Sequence, residues 1–230
     1  MKAISKKTSS AVDTVKMELE NDLFSLKYLP DEKLVESDLA RYYGVSRNTI
    51  REAFSYFITN GILVKEINKG VHVRRITVED IREIFHLRCL LEVEAITMLT
   101  AMDTFPDTLT EALESVESLE EKGYRVQALH ADIHLHRLLV QETGSDRLIR
   151  LYQSILYEVR MCLAQSNYLV PVRRAKISQH RKILEAIKQK NTTMAKQMLC
   201  RHMNQAINNY ERAYMSLQHA GTTCPKRNEP

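Results

Sequence analysis

The sequence predicts a mainly α-helical protein of two domains: three helices with a β-hairpin at the N-terminus, then an all-helical antiparallel bundle. Three observations carry this. Apolar residues recur at helical spacing through most of the 230 residues. One pair of β-branched runs stands apart, between residues 62 and 75. Glycine and proline are few, 6 and 5 in the whole chain, and mark the breaks between periodic segments. A chain of this length suits two compact units of roughly 75 and 150 residues. The boundaries read as 1–76 for the first, 77–220 for the second, and 221–230 for a polar, flexible tail.

Val12, Val15, Leu19, Leu23 and Leu26 form the first helical stripe, which is expected to stop before Leu29-Pro30 because a residue preceding proline avoids the helical region. A short second helix covers Glu36 to Tyr43 and ends at Gly44. Ser46 offers an N-cap hydroxyl for a third helix reaching Thr59. There Ile50, Ala53, Phe54, Phe57 and Ile58 point inward and leave Arg47, Asn48, Arg51 and Ser55 outside. The runs Ile62 to Glu66 and Val71 to Arg75 are joined by Ile67-Asn68-Lys69-Gly70, which reads as a hairpin turn. From Thr77, a cap with Asp80 three residues on, helices follow at about 78–102, 107–122, 125–142, 146–165, 172–189 and 192–217, with no strand signal among them.

The composition, 44% hydrophobic and 27% charged, is that of an ordinary globular protein. No apolar run approaches the roughly 20 residues of a membrane span. The first ten residues, with Lys2, Lys6 and Lys7, lack the apolar stretch of a signal peptide. A cytoplasmic protein with no membrane partner is the expectation. Cys89, Cys162, Cys200 and Cys224 are scattered without a CxxC pair, so they read as reduced thiols rather than a disulfide framework or a cysteine metal site. The net charge of +4 is mild and does not by itself identify a nucleic-acid binder.

Helix, helix, turn, helix and hairpin, in that order, make a winged helix-turn-helix, whose third helix suits the major groove of double-stranded DNA. Arg47 and Arg51 lie one turn apart on its outer face, where arginine can take guanine in bidentate fashion or grip phosphate. The amides at the helix start, with the Ser46 hydroxyl, can hold a phosphate. On periodicity alone the same arginines also fit a solvated face. The segment Leu39-Ala40-(x3)-Gly44-Val45-Ser46-Arg47-Asn48-Thr49-Ile50-Arg51-Glu52-Ala53, with Asn60-Gly61-Ile62-Leu63 and Asn68-Lys69-Gly70-Val71-His72-Val73, closely resembles the GntR family of regulators. That resemblance implies operator contacts from Arg47 and Arg51, supported by Ser46, Asn48 and Thr49, with Lys69 and Gly70 bringing the wing to DNA. The chain departs from the family pattern at Asn48-Thr49, commonly Thr-Pro, at Ser37, often basic, and at Val35, where a polar cap is usual.

In the second domain, Arg88 falls on an inward stripe with Ile81, Ile84, Leu91, Ala95 and Met98. A buried arginine needs a partner. Two readings stand together: an i, i+4 pair with Glu92, and an anchor for a ligand carboxylate. Three histidines also occupy apolar positions: His136 after Leu129 and Ile133, His180 between Ile177 and Leu184, and His202 between Leu199 and Ala206. Each alone fits a hydrogen-bonded core histidine. With Asp132 one turn before His136, the four equally fit an N3O ligand set for a divalent metal.

Arg88-(x2)-Leu91-Glu92, Asp132-(x3)-His136, Gly144-Ser145, His180-Arg181-(x)-Ile183-Leu184-(x)-Ala186-Ile187 and His202 are similar to the FCD ligand-binding domain of the FadR subfamily. The resemblance implies a divalent metal on Asp132, His136, His180 and His202, zinc ahead of nickel or manganese, and a small organic acid near Arg88. It leaves His86, His130 and His134 without a ligand role. The function it implies is an effector-responsive, homodimeric regulator, a repressor by family habit, that binds operator DNA and is not an enzyme. Two alternatives are a constitutive DNA binder with a structural metal and a metal-dependent hydrolase. The second lacks any nucleophile–base pairing in the sequence.

Overall fold

The computed structural model describes residues 10–169 and 177–219, and divides the chain into two compact units, Met1–Ile76 and Thr77–Pro230. The start of the helix expected at 172 and the tail at 221–230 lie outside the described residues.

In the first unit α1 is Ala11–Phe24, opened by a capping box in which Ser10 and Asp13 satisfy each other's backbone amides. It ends earlier than Leu29-Pro30. Leu26 turns left-handed at φ 57°, and Lys27 N–H closes the end on Asp22 C=O at 3.0 Å. Leu26 is still buried, so the turn folds the last apolar residue of the stripe inward after the helix has stopped. A two-residue strand β1, Lys33–Leu34, precedes α2 (Glu36–Tyr43) and α3 (Arg47–Thr59). Val35 occupies the N-cap of α2 without a side-chain bond, and Gly44, left-handed at φ +66°, closes that helix. The strands β2 (Leu63–Glu66) and β3 (Gly70–Val73) form the hairpin, and the antiparallel sheet has the order β1-β3-β2. The strands are shorter than the β-branched runs that suggest them. Gly70 already pairs with Glu66, so the loop is Ile67-Asn68-Lys69 alone. Leu19, Leu23, Ile50, Phe57, Ile62 and Val73 fill the core between helices and sheet.

The second unit is a bundle of α4 (Val78–Ala101), α5 (Asp107–Glu121), α6 (Arg125–Gln141), α7 (Asp146–Leu169), α8 (Ile177–Lys188) and α9 (Thr192–His219). Thr77 and Asp80 form the capping box of α4. That helix packs against α6, α7, α8 and α9, so residues on its inner face meet side chains from four directions. The connections between α5 and α6 and between α8 and α9 are three residues long, which makes each pair antiparallel neighbours. Val126, on the α6 stripe by spacing, is 62% exposed. Periodicity gives a side chain's direction but not how far the neighbouring helices extend to cover it.

Candidate DNA interface and candidate metal centre

The Ser46 hydroxyl accepts the Thr49 N–H at 3.1 Å and lies 2.9 Å from the Thr49 hydroxyl, fixing the first turn of α3. No acidic residue stands in that turn, so the positive end of the helix dipole is left for an anion. Arg47, Asn48 and Arg51 are exposed beside it. Arg51 Nε donates to Glu36 Oε2 at 2.8 Å in a solvent-facing pair. Such pairs contribute little, so a phosphate or base can displace the carboxylate cheaply. In the wing, Gly70 at φ +89° could carry no side chain without strain, and a Cβ there would press on Lys33 Cε at 3.2 Å. Lys69 Nζ lies 2.6 Å from Glu66 Oε2, and the other Glu66 oxygen is 2.9 Å from His72 Nε2. Arg47→Ala and Arg51→Ala are expected to weaken operator binding by about 1–3 kcal/mol for each lost base contact, or to flatten the salt dependence for a lost phosphate contact. Melting should stay unchanged, because neither side chain is packed. Unaltered operator affinity in both, measured by titration at two salt concentrations, would assign recognition to another face.

The inner face of α4 carries Arg88 and Glu92, 2% and 0% exposed, and their ion pair closes at 2.7 Å from Nε to Oε1. The i, i+4 pair is thus formed, and Arg88 Nη2 is buried with no hydrogen-bond partner among the described residues. Glu92 does more than balance Arg88. Its Oε1 also accepts the Tyr152 hydroxyl of α7 at 2.8 Å, and its Oε2 takes His136 Nδ1 of α6 at 2.7 Å. Burial alone would raise the Glu92 carboxyl, but His136 and Arg88 outweigh it and hold the group below its ordinary range. For Arg88, burial pulls the other way and Glu92 more than compensates, so the guanidinium stays charged. Burial pushes the Tyr152 hydroxyl far up, with Glu92 adding to it, so tyrosine remains a donor.

An ionised Glu92 makes His136 Nδ1 the donor and leaves the Nε2 lone pair free. That Nε2 lies 3.1 Å from His180 Nε2, and His180 Nε2 lies 3.1 Å from Asp132 Oδ1. The His202 ring of α9 completes the cluster, stacked on His136 with centroids 5.3 Å apart and edge-on to His180 at 4.5 Å. One nitrogen from each of the three imidazoles falls within 4.8 Å of the others. His202 Nδ1 is held by Gln179 Oε1 at 2.9 Å, which again leaves Nε2 to face the cluster. Burial, then the neighbouring His180 and His136, push the His202 pKa well below its ordinary value, so the ring is neutral and able to ligate. The donor set suits a metal. Two imidazole nitrogens bound to one ion at about 2.0–2.1 Å lie roughly 3.0–3.4 Å apart, and the observed 3.1 Å falls in that range. By contrast, His86, His130 and His134 are exposed. Tyr152 and Gln179 carry no metal or effector role on sequence grounds. The α7 stripe turns Tyr152 inward, but its bond to another helix depends on packing.

Residues 11–73 match the family described as bacterial regulatory proteins, gntR family, and residues 83–205 match the FCD domain. The HTH-type transcriptional regulator YdhC of Bacillus subtilis (strain 168) is 29% identical over 191 residues, covering 81% of this chain and 85% of the relative. The HTH-type transcriptional repressor GlaR of Escherichia coli (strain K12) is 24% identical over 202 residues, covering 80% and 89%. The crystal structure of a GntR transcriptional regulator from Rhodococcus sp. RHA1 superposes with a TM-score of 0.78 at 27% identity, over 90% of this chain and all of that one. The structure of E. coli McbR/YncC has the same fold, with a TM-score of 0.75 at 21% identity over 90% and 99% of the two chains.

Proposed function

Because this chain belongs to the GntR family of bacterial regulatory proteins and is a DNA-binding transcriptional regulator with an FCD domain, we propose that a small carboxylate bound beside a divalent metal in residues 77–220 sets its affinity for operator DNA. The observation that carries this reading is the convergence of Asp132, His136, His180 and His202 from three helices next to a buried arginine with an unpaired Nη2. Asp132, His136, His180 and His202 would hold the ion; it would supply a Lewis-acidic position for a ligand oxygen. Zinc fits the nitrogen-rich set, with nickel and manganese as the other candidates. Glu92 orients both the metal-facing ring and the anchor: His136 through Nδ1, Arg88 through Nε. Arg88 Nη2 is left to take one oxygen of the effector carboxylate.

The effector acts only by binding one placement of the DNA-binding units better than another. Repression is the proposed sense of control, and the E. coli relative is itself a repressor. Arg47 and Arg51 of α3, supported by Ser46, Asn48 and Thr49, read the major groove, and Lys69 and Gly70 bring the wing to the backbone. As a homodimer the protein occupies an inverted repeat, since two-fold symmetry in a helix-turn-helix protein is matched by its site. Footprinting should protect two symmetric half-sites. Protection of one asymmetric half-site by a single chain would contradict the dimer.

The effector reading is tested by melting the metal-loaded protein against a panel of small organic acids. A true effector at a hundred times its dissociation constant should stabilise by about 2.7 kcal/mol. Arg88→Met should abolish that gain and leave operator affinity intact, because Glu92 keeps Tyr152 and His136 as partners. If the same acid stabilises Arg88→Met as well as the parent, Arg88 serves Glu92 alone.

A further inference from the structure

Cys89 and Cys200, 111 residues apart in sequence, meet with their Sγ atoms 3.3 Å apart. They belong to α4 and α9, which pack against each other. Both are half-buried free thiols. Cys200 also borders an open surface recess with Gln197, Arg201, Asn204 and Gln205 of the same helix. Scattered spacing in sequence gives no hint of this pairing. We infer that Cys89 and Cys200 form a redox-sensitive modification site that closes to an intramolecular disulfide under peroxide.

A disulfide needs its sulfurs about 2.05 Å apart. From contact at 3.3 Å, the sulfurs must approach by roughly a further 1.3 Å to bond. Burial, and then the hydrogen bond with Cys200, push the Cys89 thiol up to about 12, so Cys89 is the less reactive sulfur toward peroxide and Cys200 takes the first step. Cys200 sulfur attacks one oxygen of hydrogen peroxide and breaks the O–O bond, giving a sulfenic acid and one water. Cys89 sulfur then attacks Cys200 sulfur, forming the S–S bond while the sulfenic oxygen leaves as a second water. Peroxide supplies the two-electron oxidant, and both thiol hydrogens end in water. The bond ties α4 to α9 beside Arg88, Glu92 and His202, the side chains those two helices give to the buried cluster.

The test exposes the full-length protein to hydrogen peroxide, blocks remaining thiols with iodoacetamide and maps the peptides by mass without reduction. The expected result is one cross-linked peptide pair joining Cys89 to Cys200, two hydrogens lighter than the separate peptides, on a chain that stays unlinked to others and reverts with dithiothreitol. Cys89→Ser should remove the link and leave Cys200 as a sulfenic acid that dimedone traps. Full alkylation of both cysteines under conditions that oxidise glutathione would overturn the proposal, as would links running only through Cys162 or Cys224.

Discussion

Glu92→Leu is expected to destabilise the C-terminal unit by about 3–5 kcal/mol, the usual cost of stripping one partner from a buried ion pair. The side chain is fully buried and stands among Arg88, Tyr152 and His136, each within 2.8 Å. Removing it leaves the Arg88 charge without compensation and takes the Nδ1 partner from His136. Glu92→Gln should lose less, because its amide oxygen still accepts one bond. The double variant Arg88→Met/Glu92→Leu should recover much of the loss, since exchanging both members of a buried pair for apolar groups of similar volume is often neutral. Urea unfolding of the four proteins measures this. A single-variant loss under about 1 kcal/mol, with no recovery in the double, would mean the guanidinium finds its counter-charge elsewhere.

Chelation should produce the second large effect. The wild type is expected to purify with near one divalent metal per chain, and a metal held at a thousand times its dissociation constant adds about 4.1 kcal/mol to stability. Stripping it should therefore lower the melting temperature by many degrees. His180→Ala and His202→Ala should lack the metal, melt near the stripped wild type and show no further drop with chelator. Both rings are almost fully buried, 2% and 5% exposed, so truncation alone costs something. The insensitivity to chelator, rather than the lower melting point, reports the site. Elemental analysis decides it: a metal-free wild type that cannot be reloaded would make these histidines ordinary core residues.

Sequence periodicity carried the fold far, and physical reasons mark where it stopped. The third helix was legible because its cap, inward stripe and polar outer face agree, and Ser46, Ile50 and Phe57 occupy those places in the structure. The strand β1 was not, because two residues show no alternation; Lys33 and Leu34 form it only by pairing with His72 and Val71. The left-handed turn at Leu26 was equally hidden, since leucine there works against its own backbone preference and is held by burial. In the second unit, the i, i+4 spacing pointed from Arg88 to Glu92 and from Asp132 to His136. The second and third contacts of Glu92, with Tyr152 and His136, come from helices 60 and 44 residues away and depend on packing that one sequence does not display. The Gln179 bond that orients His202 and the Cys89–Cys200 contact belong to the same class.

If a carboxylate at the metal site governs DNA binding, operator affinity must change when that acid is added. The metal-loaded protein is titrated onto its operator alone and with each acid that raises its melting point, beside the chelated protein and Arg88→Met. At least one acid is expected to shift the dissociation constant of the metal-loaded wild type by about 5–150-fold, with little or no shift in the chelated protein or in Arg88→Met. An operator affinity that is the same with every acid, with metal present or removed, would contradict it and leave a DNA binder whose helical domain serves only to hold the fold.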